Sequence, residues 1–197
     1  MSEAPANGLV SIVLAAGAGR RFGGDKLSAP FLGEPLIRHA IRAARAAPVD
    51  RVIVVAGPGL DPGMWEGSPP VERVAIVSDT LSTSLKAGVL AARGASGAFV
   101  FLGDMPLVPH GIAARLADAL GEGYAALPRH EGSPGHPVLL SAAAFDDVAM
   151  LQGDRGAGPL LAGRDDVRFL DREDASVLLD VDRPEELAAL EREACRR

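Results

Sequence analysis

Positive charge, cysteine and aromatic residues are all scarce in this sequence of 197 residues. The net charge of −6 argues against a general nucleic-acid binder, because such proteins bind by neutralising phosphates with Lys and Arg. The single cysteine, Cys195, cannot form an internal disulfide, which favours a reducing compartment. No group of Cys and His residues has the spacing of a structural zinc site. Aromatic residues make up only 4% of the chain, so Ala, Val and Leu must fill the core.

Long apolar runs and targeting signals are also missing from the sequence. No apolar run reaches the roughly 20 residues of a membrane-spanning helix. The polar N-terminus lacks the basic and apolar regions of a signal peptide, and we expect residues 1–7 to be disordered. These features predict a cytoplasmic protein that binds neither membranes nor nucleic acids. The length and the 48% apolar content suit one compact domain over residues 1–197.

Apolar runs and turn residues alternate along the chain in the pattern of successive strands and helices. Strands are predicted at residues 9–14, 52–55, 74–77, 98–102, 124–127, 138–140, 167–170 and 177–179. Helices are predicted at residues 35–47, 82–92, 111–120, 142–151, near Leu160, and at 184–195. This alternation predicts an α/β fold with three layers, a mostly parallel sheet covered by helices on both faces. Ligands of such sheets bind beyond the carboxyl ends of the strands.

The first predicted strand leads into a loop that is rich in glycine and basic residues. Four glycines (Gly17, Gly19, Gly23 and Gly24) are followed by Lys26, and two arginines stand between them. Glycines let backbone N–H groups approach a ligand, and the basic side chains add fixed positive charge. The loop therefore predicts a phosphate site, although a glycine-rich turn with solvated arginines has the same composition.

Two well-known phosphate loops do not match this stretch. A Walker A loop requires Gly-Lys-Ser/Thr after the spacer, but Gly24 is followed by Asp25, Lys26 and Leu27. A dinucleotide fingerprint requires G-x-G-x-x-G, and Gly23 comes one residue too late for it. The second predicted strand also ends without the acidic residue that binds a ribose. A different kind of nucleotide or phosphate loop is therefore indicated.

Carboxylates follow predicted strands at two further places. Asp104 comes directly after the apolar strand in VFLGDMP, where a carboxylate commonly holds Mg²⁺ or caps the next helix. Asp180 and Asp182 alternate with Val181, so an extended segment would direct both to one side. Asp182 also precedes Arg183 and Pro184, where it would serve equally as the N-cap of the last helix. From the residues themselves, capping and metal binding both remain open.

The loop pattern L-A-A-G-x-G-x-R-F-G-x-x-K, at residues 14–26, resembles the signature of the MobA-like nucleotidyltransferases of molybdenum cofactor biosynthesis, in particular the cytidylyltransferase branch. Three more elements fit the same family: S-L-x-x-G at 84–88, G-H-P-V-L at 135–139 and L-x-G-D-x-G-A at 151–157. The chain departs from the pattern at Gly19, where a Ser is frequent, and in residues 57–70, which have no counterpart that can be aligned.

This resemblance implies a Rossmann-like fold of the nucleotide-diphospho-sugar transferase type. It implies transfer of CMP from CTP to the terminal phosphate of a molybdopterin-type cofactor, with release of pyrophosphate and with Mg²⁺ or Mn²⁺ as the cofactor. The implied catalytic residues are Arg21, Lys26 and Asp104, and the implied metal ligands are Asp104 and Asp182. The implied nucleotide-binding residues are Leu14, Ala15, Ala16, Gly17, Gly19, Arg21, Lys26, Asp79, Ser84, Gly88 and Asp104. The implied acceptor-side residues are Gly135, His136, Pro137, Gly153 and Asp154. A lone His beside a Pro is more often structural than catalytic, so His136 is not assigned as a general base.

The identities of the nucleotide and of the acceptor are the least determined parts of this predicted function. Ala16 stands where guanylyltransferase relatives carry Gly, and its methyl group would narrow the pocket in favour of a pyrimidine. A guanylyltransferase of the same cofactor and a nucleotidyltransferase acting on a sugar or polyol phosphate are the alternatives within the enzyme class. A molybdopterin-binding chaperone without chemistry is the alternative outside it. Transient contact with a molybdoenzyme is a further expectation.

Overall fold

The structure, a computed structural model, describes residues 7–17, 19, 21–77, 80–153 and 156–194. Asp79, Asp154 and Cys195, for which the sequence makes predictions, lie outside the described residues. The predicted disorder of residues 1–7 also lies outside this part of the chain, except at Asn7. The first strand begins at Asn7, so the prediction was wrong for that residue.

Ten strands and six α-helices are found in the described part of the chain. The strands are β1 (Asn7–Ala15), β2 (Pro30–Phe31), β3 (Glu34–Pro35), β4 (Val52–Ala56), β5 (Val71–Ala75), β6 (Ala95–Leu102), β7 (Ala125–His130), β8 (Ser133–Pro134), β9 (Val138–Ser141) and β10 (Val167–Asp171). The α-helices are α1 (Leu36–Arg45), α2 (Leu81–Ala91), α3 (Ile112–Leu120), α4 (Phe145–Ala149), α5 (Gly158–Leu161) and α6 (Pro184–Ala194). Within these residues, no helix has the length and apolarity needed to cross a membrane.

The main sheet has the strand order β10-β7-β9-β6-β1-β4-β5, with β8 paired to β7. Strand β1 lies in the middle and pairs in parallel with β4 and β6, and β7 pairs in parallel with β10. Strand β9 is antiparallel to both of its neighbours, β6 and β7. The prediction of a mostly parallel sheet is therefore confirmed.

Helices cover both faces of this sheet, as the three-layer prediction requires. Alternate residues of β1 belong to different cores: Val13 packs with the α1 and α3 side, and Ile12 packs with the α2 and α4 side. Both residues have no exposed surface. A strand that is buried on both faces reads as a continuous apolar run, which explains the unbroken apolar sequence of β1.

Three element predictions were wrong in detail. The predicted strand at 177–179 is instead a 3-10 helix at Ala175–Val177, because the Asp174 side chain accepts a hydrogen bond from Ser176 N and starts a helical turn. Strand β5 lies about three residues earlier than predicted, since it pairs with β4 in the register of Val52 with Val71. The predicted helix at 142–151 is a 3-10 turn, Ala142–Ala144, followed by the short α4.

Candidate functional site

The loop after β1 forms tight turns on its glycines and ends in a short 3-10 helix, Lys26–Ser28. Gly19 and Gly23 have positive φ angles of 53° and 76°, which favour glycine. A Cβ added to Gly19 would also lie 3.1 Å from the carbonyl oxygen of Gly24. Phe22 N donates to Gly19 O at 2.9 Å and closes the first turn. These turns return the chain toward the edge of the sheet and place Lys26 there.

Asp104 is held by the turn that follows β6. The preceding residue, Gly103, donates its N–H to Leu14 O at 2.9 Å, and a Cβ on it would lie 2.9 Å from Ile37 Cδ1. From the C-terminal part of the chain, Val181 N donates to the backbone oxygen of Asp104 at 3.0 Å. Val181 itself is fully buried. The backbone therefore fixes Asp104 between β1 and the segment that carries Asp180 and Asp182.

Asp104, Asp180 and Asp182 form a cluster of three carboxylates. One oxygen atom from each lies within 4.8 Å of the others. Hard divalent cations such as Mg²⁺ and Mn²⁺ take oxygen ligands of this kind, so the donor set fits such an ion. The residues predicted as metal ligands, Asp104 and Asp182, are thus brought together, and Asp180 joins them as a third member.

Two basic side chains of the glycine loop contact the same cluster. Lys26 Nζ lies 2.7 Å from Asp104 Oδ2 and 3.4 Å from Asp182 Oδ1. Arg21 Nη1 lies 2.8 Å from Asp182 Oδ2, across 161 positions of sequence. The Lys26 side chain is only 11% exposed, whereas that of Arg21 is 76% exposed. Lys26 is therefore a fixed charge of the site, and Arg21 reaches it from the solvent side.

The carboxylates of the cluster differ in acidity. Desolvation raises the pKa of Asp180, and the negative charge of Asp104 acts in the same direction. Desolvation also acts to raise the pKa of Asp182, but the hydrogen bonds and charges of Arg21 and Lys26 outweigh it and leave that pKa lowered. At Asp180, repulsion by the neighbouring carboxylates thus adds to the effect of desolvation, and a bound cation would relieve that repulsion.

The hydrogen bonds at the start of α6 show which groups the Asp182 side chain binds. Glu186 Oε2 accepts hydrogen bonds from Asp182 N at 2.7 Å and from Arg183 N at 3.0 Å. The carboxylate of Asp182 accepts from Arg21 and Lys26 instead. Glu186 thus binds the two backbone N–H groups just before this helix, and the Asp182 side chain belongs to the carboxylate cluster.

Two cavities lie beside this edge of the sheet. The first, the glycine-lined cavity, has a volume of about 440 Å³ and includes Ala15, Ala16 and Gly17 together with Gly57 and Val77. The second, the apolar cavity, has a volume of about 380 Å³ and lies against the α2 face of the sheet. Its lining includes Leu14, Leu85, Leu102, His136 and Phe169. Leu14 and Ala15, neighbours in β1, thus line different cavities.

The G-H-P-V-L element reaches this edge because β9 runs antiparallel. Val138, at the start of β9, pairs with Val100 of β6, so the residues before it lie at the end where the parallel strands finish. Gly135 packs against the 3-10 helix, and a Cβ on it would lie 2.5 Å from Val177 O. Burial lowers the pKa of His136, although its hydrogen bond to Val100 O and the charge of Asp104 act in the other direction. Its imidazole is therefore neutral at pH 7.

Ser84, Gly88 and Gly153 occupy structural positions in this arrangement. The Ser84 hydroxyl donates to Thr80 O at 3.3 Å, inside the first turn of α2. A Cβ on Gly88 would lie 2.5 Å from Ile12 Cγ2, so this glycine allows α2 to approach β1. The carbonyl of Gly153 accepts a hydrogen bond from the Ser82 hydroxyl. Their predicted contacts with nucleotide or acceptor stay predictions.

A mostly parallel sheet whose edge carries a basic glycine loop and a carboxylate cluster is the arrangement of a nucleotidyltransferase, and comparison with known proteins supports this class. The chain belongs to the MobA-like NTP transferase domain family, whose model matches residues 11–169. The match begins within β1 and ends within β10, so it excludes the segment with Asp180 and Asp182.

Individual relatives carry different names. The purine catabolism protein PucB of Bacillus subtilis (strain 168) is 30% identical over 90% of this chain and 93% of its own length. A Thermococcus gammatolerans protein named "Probable molybdenum cofactor guanylyltransferase" is 37% identical, but the match spans about half of each chain. The crystal structure of Rv0371c from Mycobacterium tuberculosis H37Rv has a TM-score of 0.82 and 28% identity, covering 96% of this chain and all of that one. Another crystal structure of Rv0371c is a complex with manganese.

Proposed function

We propose that this protein is a cytidylyltransferase that transfers CMP from CTP to a phosphate monoester, the terminal phosphate of a molybdopterin-type cofactor. The observation that carries the proposal is the meeting of Lys26 with Asp104 and Asp182, flanked by two cavities. One cavity would take the nucleotide and the other the acceptor, with the phosphates between them. The relatives named for molybdenum cofactor guanylyl transfer support the acceptor class.

In this reaction an oxygen of the acceptor phosphate attacks the α-phosphorus of CTP. A new P–O bond forms as the bond from the α-phosphorus to its bridging oxygen breaks, and pyrophosphate leaves with that electron pair. Such a transfer needs positioning and charge neutralisation rather than a protein nucleophile. The ammonium of Lys26 would stabilise the phosphate oxygens that gain charge in the transition state, and Arg21 would bind the outer phosphates from the solvent side.

The carboxylate cluster would contribute to charge neutralisation by holding a metal ion. Asp104 and Asp182, with Asp180 beside them, would hold Mg²⁺ or Mn²⁺, which when bound adds positive charge to the reacting phosphates. The manganese complex of the mycobacterial relative supports a divalent metal in this family. Contact with a molybdoenzyme that receives the product remains a prediction.

Pyrophosphate release from CTP in the presence of molybdopterin and Mg²⁺ tests the proposal. We expect Lys26→Ala and Asp104→Ala each to lower kcat by about 100-fold or more, because each removes a charge aimed at the transition state. Asp146→Asn is the matched control, since Asp146 is an exposed residue of α4 away from both cavities. Unimpaired turnover in both site variants would refute the assignment.

The second candidate is a guanylyltransferase of the same cofactor, favoured by the names of two relatives. Ala16 argues for a pyrimidine because its side chain lines the glycine-lined cavity and reduces the room for a purine. The same assay with CTP, GTP, UTP and ATP separates the two functions. Higher kcat/KM with GTP than with CTP would favour the guanylyltransferase.

A further inference from the structure

The apolar cavity contains an aromatic ring that is unusually exposed for its size. Phe169 lies in β10, at the edge of the main sheet, and 45% of its surface is exposed. Its backbone is fixed by the pairing of β10 with β7, in which Phe169 stands opposite Leu127. The guanidinium carbon of Arg129 lies 4.9 Å from the centre of the ring. The ring of Phe169 therefore forms a partly solvated flat face on one wall of the cavity.

Few polar side chains line this cavity. Of the described residues that line it, only Arg129 and His136 carry polar side chains. Arg129 Nε and Nη2 donate to the two carboxylate oxygens of Asp171 at 2.7 and 3.1 Å. His136 Nδ1 lies 3.4 Å from Val100 O, which can only accept. A ligand body rich in hydroxyl groups would leave several of them without partners, which disfavours its binding.

The apolar cavity lies beside the carboxylate edge of the sheet. Leu102, which lines it, ends β6 two residues before Asp104. The charge of Asp104 also reaches His136, another lining residue. The remaining body of a molecule whose phosphate lies at the carboxylates can therefore reach a space with aliphatic walls and one aromatic face.

We propose that Phe169, with Arg129 packed on its ring, selects the acceptor by holding a flat, weakly hydroxylated body in the apolar cavity. The inference rests on the proposed nucleotidyl transfer and specifies the acceptor subsite of that reaction. Offset stacking of the ligand on the Phe169 face, together with burial of apolar surface, supplies the binding energy. Sugar and polyol phosphates are discriminated against because the described lining offers their hydroxyl groups only two polar side chains, and both already have a hydrogen-bond partner.

Calorimetric binding of two phosphate monoesters to the full chain with Mg²⁺, without nucleotide, tests this selection. The probes are 6-hydroxymethylpterin phosphate, which is flat, and glucose 1-phosphate, which is rich in hydroxyl groups. We expect the pterin phosphate to bind more tightly, and Phe169→Ala to weaken it by about tenfold. Phe169→Leu keeps apolar volume but loses the flat face, so it should weaken binding less. Leu90→Ala, an exposed apolar residue of α2 outside the cavity, is the control and should change nothing.

Steady-state kinetics then separate a specific role from a structural one. In Phe169→Ala the KM for the acceptor should rise about tenfold, while kcat and the KM for CTP stay within about twofold of the wild type. Equal binding of both probes, or unchanged pterin phosphate binding in Phe169→Ala, would overturn the inference. Selective, Phe169-dependent binding without pyrophosphate release from any nucleotide would support the subsite and refute the proposed reaction.

Discussion

Asp180 shows how much a single residue of the cluster depends on its neighbours. The sequence pairs it with Asp182 by alternation, but capping and metal binding fit Asp182 equally well, and Asp180 is not assigned as a ligand. Desolvation raises the pKa of Asp180, and the negative charge of Asp104, a residue 76 positions earlier in the chain, acts in the same direction. A side chain held close to like charge is expected to gain most from a bound cation.

We predict that Asp180→Asn weakens Mn²⁺ binding by about tenfold or more, because the site loses one of three negative charges. The free energy of unfolding without metal should stay the same or rise, since removing the charge relieves repulsion with Asp104. Isothermal titration calorimetry of Mn²⁺ binding, with urea unfolding alongside, measures both.

Asp146→Asn serves as the control for this measurement, because it removes an equal charge from the exposed surface of α4. Mn²⁺ affinity in Asp180→Asn equal to that of the control would contradict the assignment of Asp180 to the metal site. A loss in Asp182→Asn but not in Asp180→Asn would leave Asp104 and Asp182 as the ligands.

At the scale of elements, the contact between α2 and β1 rests on Gly88. The S-L-x-x-G pattern indicates a nucleotide-binding element, whereas the structure places Gly88 against Ile12 and Val55, two fully buried residues. The glycine brings the helix close to the central strand, and the helix carries Leu81 and Leu85 into the apolar cavity. Gly88 thus affects both the packing of α2 on the sheet and the lining of the apolar cavity.

Gly88→Ala is predicted to destabilise the protein by about 1–3 kcal/mol, although alanine favours a helix by about 1 kcal/mol. The new methyl group would lie 2.5 Å from Ile12 Cγ2 and 3.2 Å from Val55 Cγ2, and neither strand can yield easily. Urea unfolding measures the change, with Leu90→Ala on the exposed side of the same helix as control. Stability equal to the wild type, combined with a raised KM for CTP, would instead favour direct nucleotide contact.

Two elements show what the local sequence pattern does not determine: the type of the segment around Val177 and the direction of β9. The strand at 177–179 was predicted from three apolar residues, but Asp174 starts a 3-10 helix there and Val177 packs in the core. The antiparallel direction of β9 has no local signal, because strand direction depends on which neighbours the strand finds. That direction nevertheless brings Gly135 and His136 to the edge where the parallel strands end.

At the scale of the whole molecule, the site joins the two ends of the chain. The glycine loop and the segment around Asp182 contact each other through Arg21 and Lys26. The Arg21–Asp182 pair is exposed, and such pairs contribute little to stability, typically about 0–1 kcal/mol. The alignment of these ends is therefore maintained mainly by buried groups such as Val181, and a ligand bound between them should stabilise the entire fold.

Thermal unfolding with Mg²⁺ and each nucleotide provides a test at this scale. At a hundred times its Kd, CTP should add about 2.7 kcal/mol to the free energy of unfolding, or about 5–10 °C in Tm. GTP at the same concentration should add less under the proposed preference for a pyrimidine, since Ala16 lines the glycine-lined cavity. Lys26→Ala should abolish most of the CTP shift.

The control for the thermal measurement is again Asp146→Asn, which should keep the full CTP shift. A larger shift with GTP than with CTP would identify the guanylyltransferase alternative. A CTP shift of undiminished size in Lys26→Ala would remove Lys26 from the nucleotide site.

The sequence by itself determined the fold class, the glycine loop and the positions of Asp104 and Asp182. These features are local. A run of apolar residues indicates a buried strand, and glycines and charged residues directly after it indicate a turn. Tertiary structure decided the role of the Asp182 side chain, the entry of Asp180 into the cluster and the cavity wall formed by Phe169. Each of these depends on residues that the fold brings together from distant parts of the chain. The local sequence around either residue does not determine the distance between their side chains.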